Sequence, residues 1–109
     1  MNPELITAPE LAKWLADEDR VSPVLLDVRE TPEVQHCHIT NSIHMAMNTV
    51  PARMHELDPD DTIVCICHHG ARSWKVAQFL QQNGFDKVIN LTGGIHAWAT
   101  LVDTSMPTY

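Results

Sequence analysis

Seven consecutive residues carry most of the reactive side chains that stand close together: Cys67, His68, His69, Gly70, Ala71, Arg72 and Ser73, directly after the apolar run 62–66. A thiolate is both a nucleophile and a soft-metal ligand, so Cys67 has three readings. It is a nucleophile in an anion-binding loop, a metal ligand beside His68 and His69, or a buried thiol. A loop between a buried strand and a helix start aims several backbone N–H groups inward, where they and the helix dipole hold an anion. Gly70 permits a positive φ, so the chain can curl around its own cysteine. Ser73 can cap the helix or donate into the cradle, with Arg72 at the far end of the loop and Lys75 one turn into the helix. Such donors suit a thiolate whose modified form bears an extra sulfur or oxyanions.

The other reactive residues read more plainly. Cys65, Cys67, His68 and His69 can be written as a metal cluster, but residues 65 and 67 share one face of a strand while adjacent histidines are expected to diverge. A structural zinc site draws its ligands as two separated pairs, and only His36, Cys37 and His38 are left for a second one, so no metal is expected. His68 and His69 are instead expected at the rim of a pocket, where partial protonation adds positive charge; otherwise they are exposed loop residues. Cys65, in mid-run, reads as a small buried hydrophobe. Cys37 reads as a loop thiol, a second reactive thiol being the alternative. Asp27 is expected to be a structural acceptor, with Arg29 paired to it or to Glu30.

The elements around these residues decide whether the loop can form. Thr7 to Glu10 reads as a helix start, with Thr7 as N-cap, Pro9 in the first turn and Glu10 at the capping-box position. Leu11, Trp14 and Leu15 then form an apolar stripe. Residues 24–28 are a short apolar run of the kind buried on both faces of a parallel sheet. Thr31 is expected to cap a helix with Pro32 at its first position, residues 43–45 form a weaker strand, and residues 50–57 a short helix. Residues 62–67 are the strongest strand and residues 73–83 the clearest helix, with Gly84 at its C′ position. A last strand over 87–91 leads through Gly93 and Gly94 into a short helix ending near Trp98. Trp14, Trp98, Met45, Met47 and Met54 read as packing residues, and the tail after Thr100 as loosely held. Helices alternating with short apolar strands predict an α/β domain with a mainly parallel sheet. Cys67 then sits where strand gives way to helix, at the carboxyl edge where such sheets collect ligands.

Composition narrows the class of partner. The 109 residues suffice for one domain, expected over 1–109, with 44% apolar and 19% charged residues. A net charge of −7 argues against nucleic acid or an anionic membrane as partner. The first ten residues have no basic start or apolar core of a signal peptide, and no apolar run approaches the ~20 residues that span a bilayer. Three cysteines fit no disulfide framework, and a reducing cytoplasm is the expected setting.

Taken together, four stretches resemble the rhodanese-like sulfurtransferases. Residues 67–73, with four residues between Cys67 and Arg72 and a serine after it, resemble that family's active-site loop. Residues 26–30 resemble its first signature, His38-Ile39 its following step, and Gly93-Gly94 with Ala97-Trp98 its C-terminal motif. The resemblance implies a five-stranded, mainly parallel sheet flanked by helices on both faces, with Cys67 at the base of a shallow pocket. It also implies a double displacement. Cys67 takes a sulfane sulfur from thiosulfate or a persulfide-bearing protein, then passes it to an acceptor thiol or to cyanide. Amides of residues 68–72 would hold the persulfide, and Arg72 would orient the loop or an anionic donor. No metal or organic cofactor is implied, because the cysteine carries the sulfur. Phosphatases built on a related cradle need five residues between cysteine and arginine, a spacing that neither Cys67 nor Cys65 has. The chain departs from the family where Cys37 replaces the usual glycine and Asn41-Ser42 the usual Gly-Ala. The competing function is a binding module of the same fold, docking a partner or relaying persulfide only between proteins.

Overall fold

The computed structural model describes residues 2–109. Ten elements alternate along the chain: β1 (Glu4–Ile6), α1 (Ala8–Ala16), β2 (Val24–Asp27), α2 (Thr31–His36), β3 (Ile43–His44), α3 (Val50–Arg53, with a 3₁₀ turn on either side), β4 (Ile63–Ile66), α4 (Ala71–Gln82), β5 (Val88–Leu91) and α5 (Gly94–Leu101). The strands form one sheet in the order β1-β5-β4-β2-β3, and every pairing is parallel. The expected α/β class and five-stranded sheet are therefore present, and "mainly parallel" becomes entirely parallel.

β4 is central because all four of its residues are apolar and buried, the pattern of a strand covered on both faces. One face carries Leu26, Val28, Cys65 and Cys67 against Val76, Ala77 and Leu80 of α4, with Met45, Met47 and Met54 filling the same cluster. The other carries Leu25, Val64 and Ile66 against Leu11 and Trp14 of α1 and Ile95 and Trp98 of α5. A one-residue register shift in β4 would exchange these two sets, so the alternation locks which way Cys65 and Cys67 point.

Local signals account for most of the helix ends. Thr7 and Glu10 form the expected capping box, with Pro9 in the first turn of α1. Gly84 follows α4 at φ +91°, the left-handed conformation that ends helices. Two expectations shift, and one strand is new. α2 is capped by Glu30, whose N–H donates to the Glu33 carboxylate at 3.0 Å, so Thr31 lies inside the helix rather than capping it. The helix expected over 50–57 is a single α-turn between two 3₁₀ turns, and the segment is stopped by Asp58-Pro59. β1, which has no apolar run to announce it, adds an exposed edge strand beside β5.

Candidate active site

The chain leaves the sheet after Ile66, and Cys67 is the first residue beyond the ladder. Its sulfur is 1% exposed. Two donors point at it: the Gly70 N–H at 3.1 Å and the Ser73 hydroxyl at 3.3 Å. Gly70 reaches back because its φ is +107°, a conformation that an L side chain rarely adopts. The Ser73 hydroxyl has a single proton and also bonds Oδ1 of Asn90, whose amide donates to the Gly70 carbonyl at 3.0 Å. It therefore donates to one acceptor at a time. Facing a thiol, it can give its proton to Asn90 and accept the S–H; facing a thiolate, it can turn its proton to the sulfur. Asn90, which no local pattern singles out, braces both halves of the cradle from β5.

The loop is fixed from the other side by α5. Ile95 N–H donates to the Cys67 carbonyl at 2.8 Å and His96 N–H to the His68 carbonyl at 3.1 Å. Gly94 makes this approach possible, since a Cβ there would overlap both carbonyl oxygens. With those carbonyls engaged by α5, the first amides of α4, at Ala71, Arg72 and Ser73, lack an acceptor within their own helix and remain free to hold an anion.

Asp27 and Arg29 form a buried pair beside this loop. The Arg29 Nη2 lies 2.7 Å from Asp27 Oδ2, and Nε reaches Oδ1 at 2.9 Å. The same Nη2 donates to the Cys37 carbonyl at 2.7 Å, so the guanidinium ties the end of β2 to the end of α2. Burial works against its charge, but the bonds to Asp27 and Tyr109 outweigh that and hold it charged well above its ordinary value. Asp27 thus serves as the expected structural acceptor, and Arg29 chooses it over Glu30. Cys37 is buried with its sulfur 3.9 Å from Arg29 Nη1, not an open loop thiol.

Arg72 points outward from the loop and is held in a fork by Glu33, at 2.7 and 2.9 Å. That hydrogen-bonded pair lowers the Glu33 carboxyl to about 2. Tyr109 completes the arrangement: its hydroxyl donates to Glu33 at 2.8 Å, accepts from Arg29 Nη1 at 2.9 Å, and its ring stacks on His68 at 4.0 Å. The tail after Thr100, expected to be loose, is instead anchored at its last residue. α5 runs to Leu101, and the following turn is bonded back through Val102 and Asp103 to Trp98. Glu33 and Tyr109 lie 39 and 76 positions from the groups they bond, so nothing local marks them.

His68 and His69 do not diverge as adjacent strand residues would. They lie past the end of the strand, in a bend, and their rings stand 4.0 Å apart, with His96 of α5 closing a third side at 5.0 Å from His69. Burial, and next the neighbouring His69, push the His68 imidazole below its ordinary value. The rim is accordingly less cationic than expected.

Comparison with known proteins agrees with this fold. The family model described as "Rhodanese-like domain" matches residues 7–101, which leaves the segment bearing Tyr109 outside the match. A sulfurtransferase of Allochromatium vinosum is 37% identical over 94 residues, 86% of either chain. The YtwF protein of Bacillus subtilis is 40% identical over 95 residues, 87% of this chain and 88% of its own. The crystal structure of a rhodanese-like domain protein from Staphylococcus aureus superposes with a TM-score of 0.83 at 29% identity, over 97% of this chain and 98% of that one. Among the described residues, no helix is long and apolar enough to cross a membrane.

Proposed function

The chain belongs to the rhodanese-like domain family and is a sulfurtransferase of that family; from this premise we propose that Cys67 carries a sulfane sulfur as a persulfide. In the first half-reaction the Cys67 thiolate attacks the outer sulfur of the donor. The donor's S–S bond breaks, and sulfite leaves if the donor is thiosulfate, or a thiolate if it is a persulfide. In the second half-reaction an acceptor thiolate or cyanide attacks that outer sulfur, the Cys67 S–S bond breaks, and the Cys67 thiolate returns. No electrons are gained or lost overall beyond those carried by the transferred sulfur.

The observation that carries this proposal is the pair of donors at the Cys67 sulfur, from Gly70 and Ser73, at the N-terminus of α4. Negative charge moves to the outer sulfur in the persulfide, and the amides of residues 68–72 with the helix dipole are the groups at hand to receive it. His68, His69 and Ala71 shape the rim, Arg72 orients the loop through Glu33, and Asp27 with Arg29 supports it from below.

A relay between proteins is the second use of the same site. It is favoured by one observation: the Arg72 charge is already taken up by Glu33, leaving little free positive charge to draw in thiosulfate. A persulfide-bearing protein, which brings its own docking contacts, depends less on that charge. The test is the intact mass of the reduced protein after thiosulfate or a persulfide donor, beside Cys67→Ser, with thiocyanate assayed after cyanide. One added sulfur atom that needs Cys67 and leaves as thiocyanate is the expected result. Loading by the persulfide alone selects the relay. A sulfur that stays bound, or none from either donor, refutes transfer and leaves a docking module.

A further inference from the structure

The three histidines at the loop mouth have a geometry that sulfur transfer does not use. His68 and His69 come from the β4–α4 loop and His96 from the first turn of α5, and each offers a ring nitrogen within 4.8 Å of the other two. We infer that His68, His69 and His96 form a binding site for a borderline-soft divalent cation of the zinc class. That site goes beyond the transfer reaction, and neither its formation nor its test depends on it.

Three observations lead there. First, Nε2 of His68 is buried and, among the described residues, has no hydrogen-bond partner within bonding distance, although the Tyr109 backbone lies close to the ring. A buried imidazole nitrogen with nothing to bond costs about 1–3 kcal/mol and calls for a missing partner. Second, the backbones that bear the ligands are joined directly. The His96 N–H donates to the His68 carbonyl at 3.1 Å, and Gly94 lets α5 seat against residues 67 and 68. A site whose ligands come from two elements locked together loses little freedom on binding. Third, the rings already converge, with His68 to His69 at 4.0 Å, His69 to His96 at 5.0 Å and His68 to His96 at 6.2 Å between centroids.

Tetrahedral metal–nitrogen bonds of about 2.0–2.1 Å put ligand nitrogens about 3.3 Å apart, so nitrogens that stand within 4.8 Å of one another must close by up to about 1.5 Å, through rotation of the side chains. Neutral imidazole is the ligating form. Imidazole nitrogens suit zinc, copper and nickel rather than magnesium or calcium. Three protein nitrogens leave a fourth coordination position open, and one ligand, His68, follows Cys67 in the chain. A cation there would restore positive charge to a rim that Glu33 has neutralised.

The test uses the full chain, kept reduced with a phosphine, titrated with Zn²⁺ against a chromophoric competitor, with Co²⁺ as a spectroscopic probe. The expected result is one saturable site, with cobalt d–d bands but without a sulfur-to-cobalt charge-transfer band. Cys67→Ser should retain the site, and His96→Ala should weaken it by at least about tenfold. Circular dichroism checks that His96→Ala is folded, and His69→Ala replaces it if it is not. Absence of saturable binding overturns the inference. So does binding that survives in the folded histidine variant, or that is lost in Cys67→Ser, since the ligands would then be thiols or other histidines.

Discussion

Cys65 and Cys67 are two residues apart, point to the same face of the sheet and enter the same apolar cluster, with 0% and 1% of their surface exposed. Burial therefore does not distinguish them. Cys65 lies within the ladder, between Leu26 of β2 and Asn90 of β5, with apolar neighbours on its face. Burial, and next the adjacent Cys67, push its thiol up to about 12, which keeps it protonated at neutral pH. Cys67 lies just past the ladder, where the backbone is free to turn, and the turn brings an N–H and a hydroxyl to its sulfur. On the proposed assignment, a sheet makes a reactive thiol by where the strand stops. Two more residues of β4 would make Cys67 a second Cys65.

The largest expected effect separates the two sulfurs outright. Cys67→Ser should lower sulfur loading by at least about a thousandfold, because the hydroxyl is a far weaker nucleophile at neutral pH, while the thermal unfolding midpoint changes little. Loading that persists in Cys67→Ser and vanishes in Cys65→Ser would reverse the assignment. Next in size is the support beneath the loop. Asp27→Ala leaves the Arg29 guanidinium buried without its counter-charge, and about 3–5 kcal/mol of stability should be lost in urea titration. A loss below about 1 kcal/mol would show that Tyr109 and the Cys37 carbonyl suffice to hold Arg29.

Cys65→Ser should keep its loading rate yet lose about 1–3 kcal/mol, since the new hydroxyl is buried and the polar residue in register with it, Asn90, is already bonded to Ser73 and Gly70. Ser73→Ala sharpens the contrast from the other side. It takes away one of the two donors at Cys67, so loading should slow by about tenfold, the scale of one hydrogen bond to a charged group. An unchanged rate would assign the cradle to Gly70 and the α4 amides alone.

The sequence carried the half of this contrast that depends on chain position. Residues 62–66 announced a buried strand, residues 73–83 a helix, and Cys67 stood at their junction with Gly70 and Ser73 at the spacing a curled loop needs. What stayed hidden was assembled across the fold. Asn90 is an ordinary polar residue in a strand pattern, yet it holds Ser73 and Gly70 from 17 and 20 positions away. Glu33 lies in the first turn of α2 and bonds its cap, but its carboxylate also takes Arg72. His68 and His69 belong to a bend, where the alternation of a strand does not hold. The order of the tail comes from Tyr109 meeting Arg29, Glu33 and His68, which no local pattern encodes.

The smallest expected effect asks whether Arg72 acts at Cys67 through its charge or through its position. Glu33→Gln keeps the shape of the partner and removes its negative charge. At neutral pH this half-exposed pair should cost less than about 1 kcal/mol. Its mark lies in acid. The folded Glu33 carboxyl titrates near 2, lowered chiefly by Arg72 from an ordinary 4.5. A depressed folded value means that the stabilisation is fully present above the unfolded value and is lost as pH falls from about 4.5 through about 2. Stability of Glu33→Gln should therefore fall less steeply than that of the parent across that window, in urea titrations at stepped pH. Loading by thiosulfate is the second readout. If Glu33 masks a charge the donor could use, the variant should load a few-fold faster at low ionic strength, and the gain should disappear as salt screens it. A rate that falls instead, at any salt, would mean that Arg72 serves Cys67 by being held still, and that the cradle's reactivity is a property of the fixed loop.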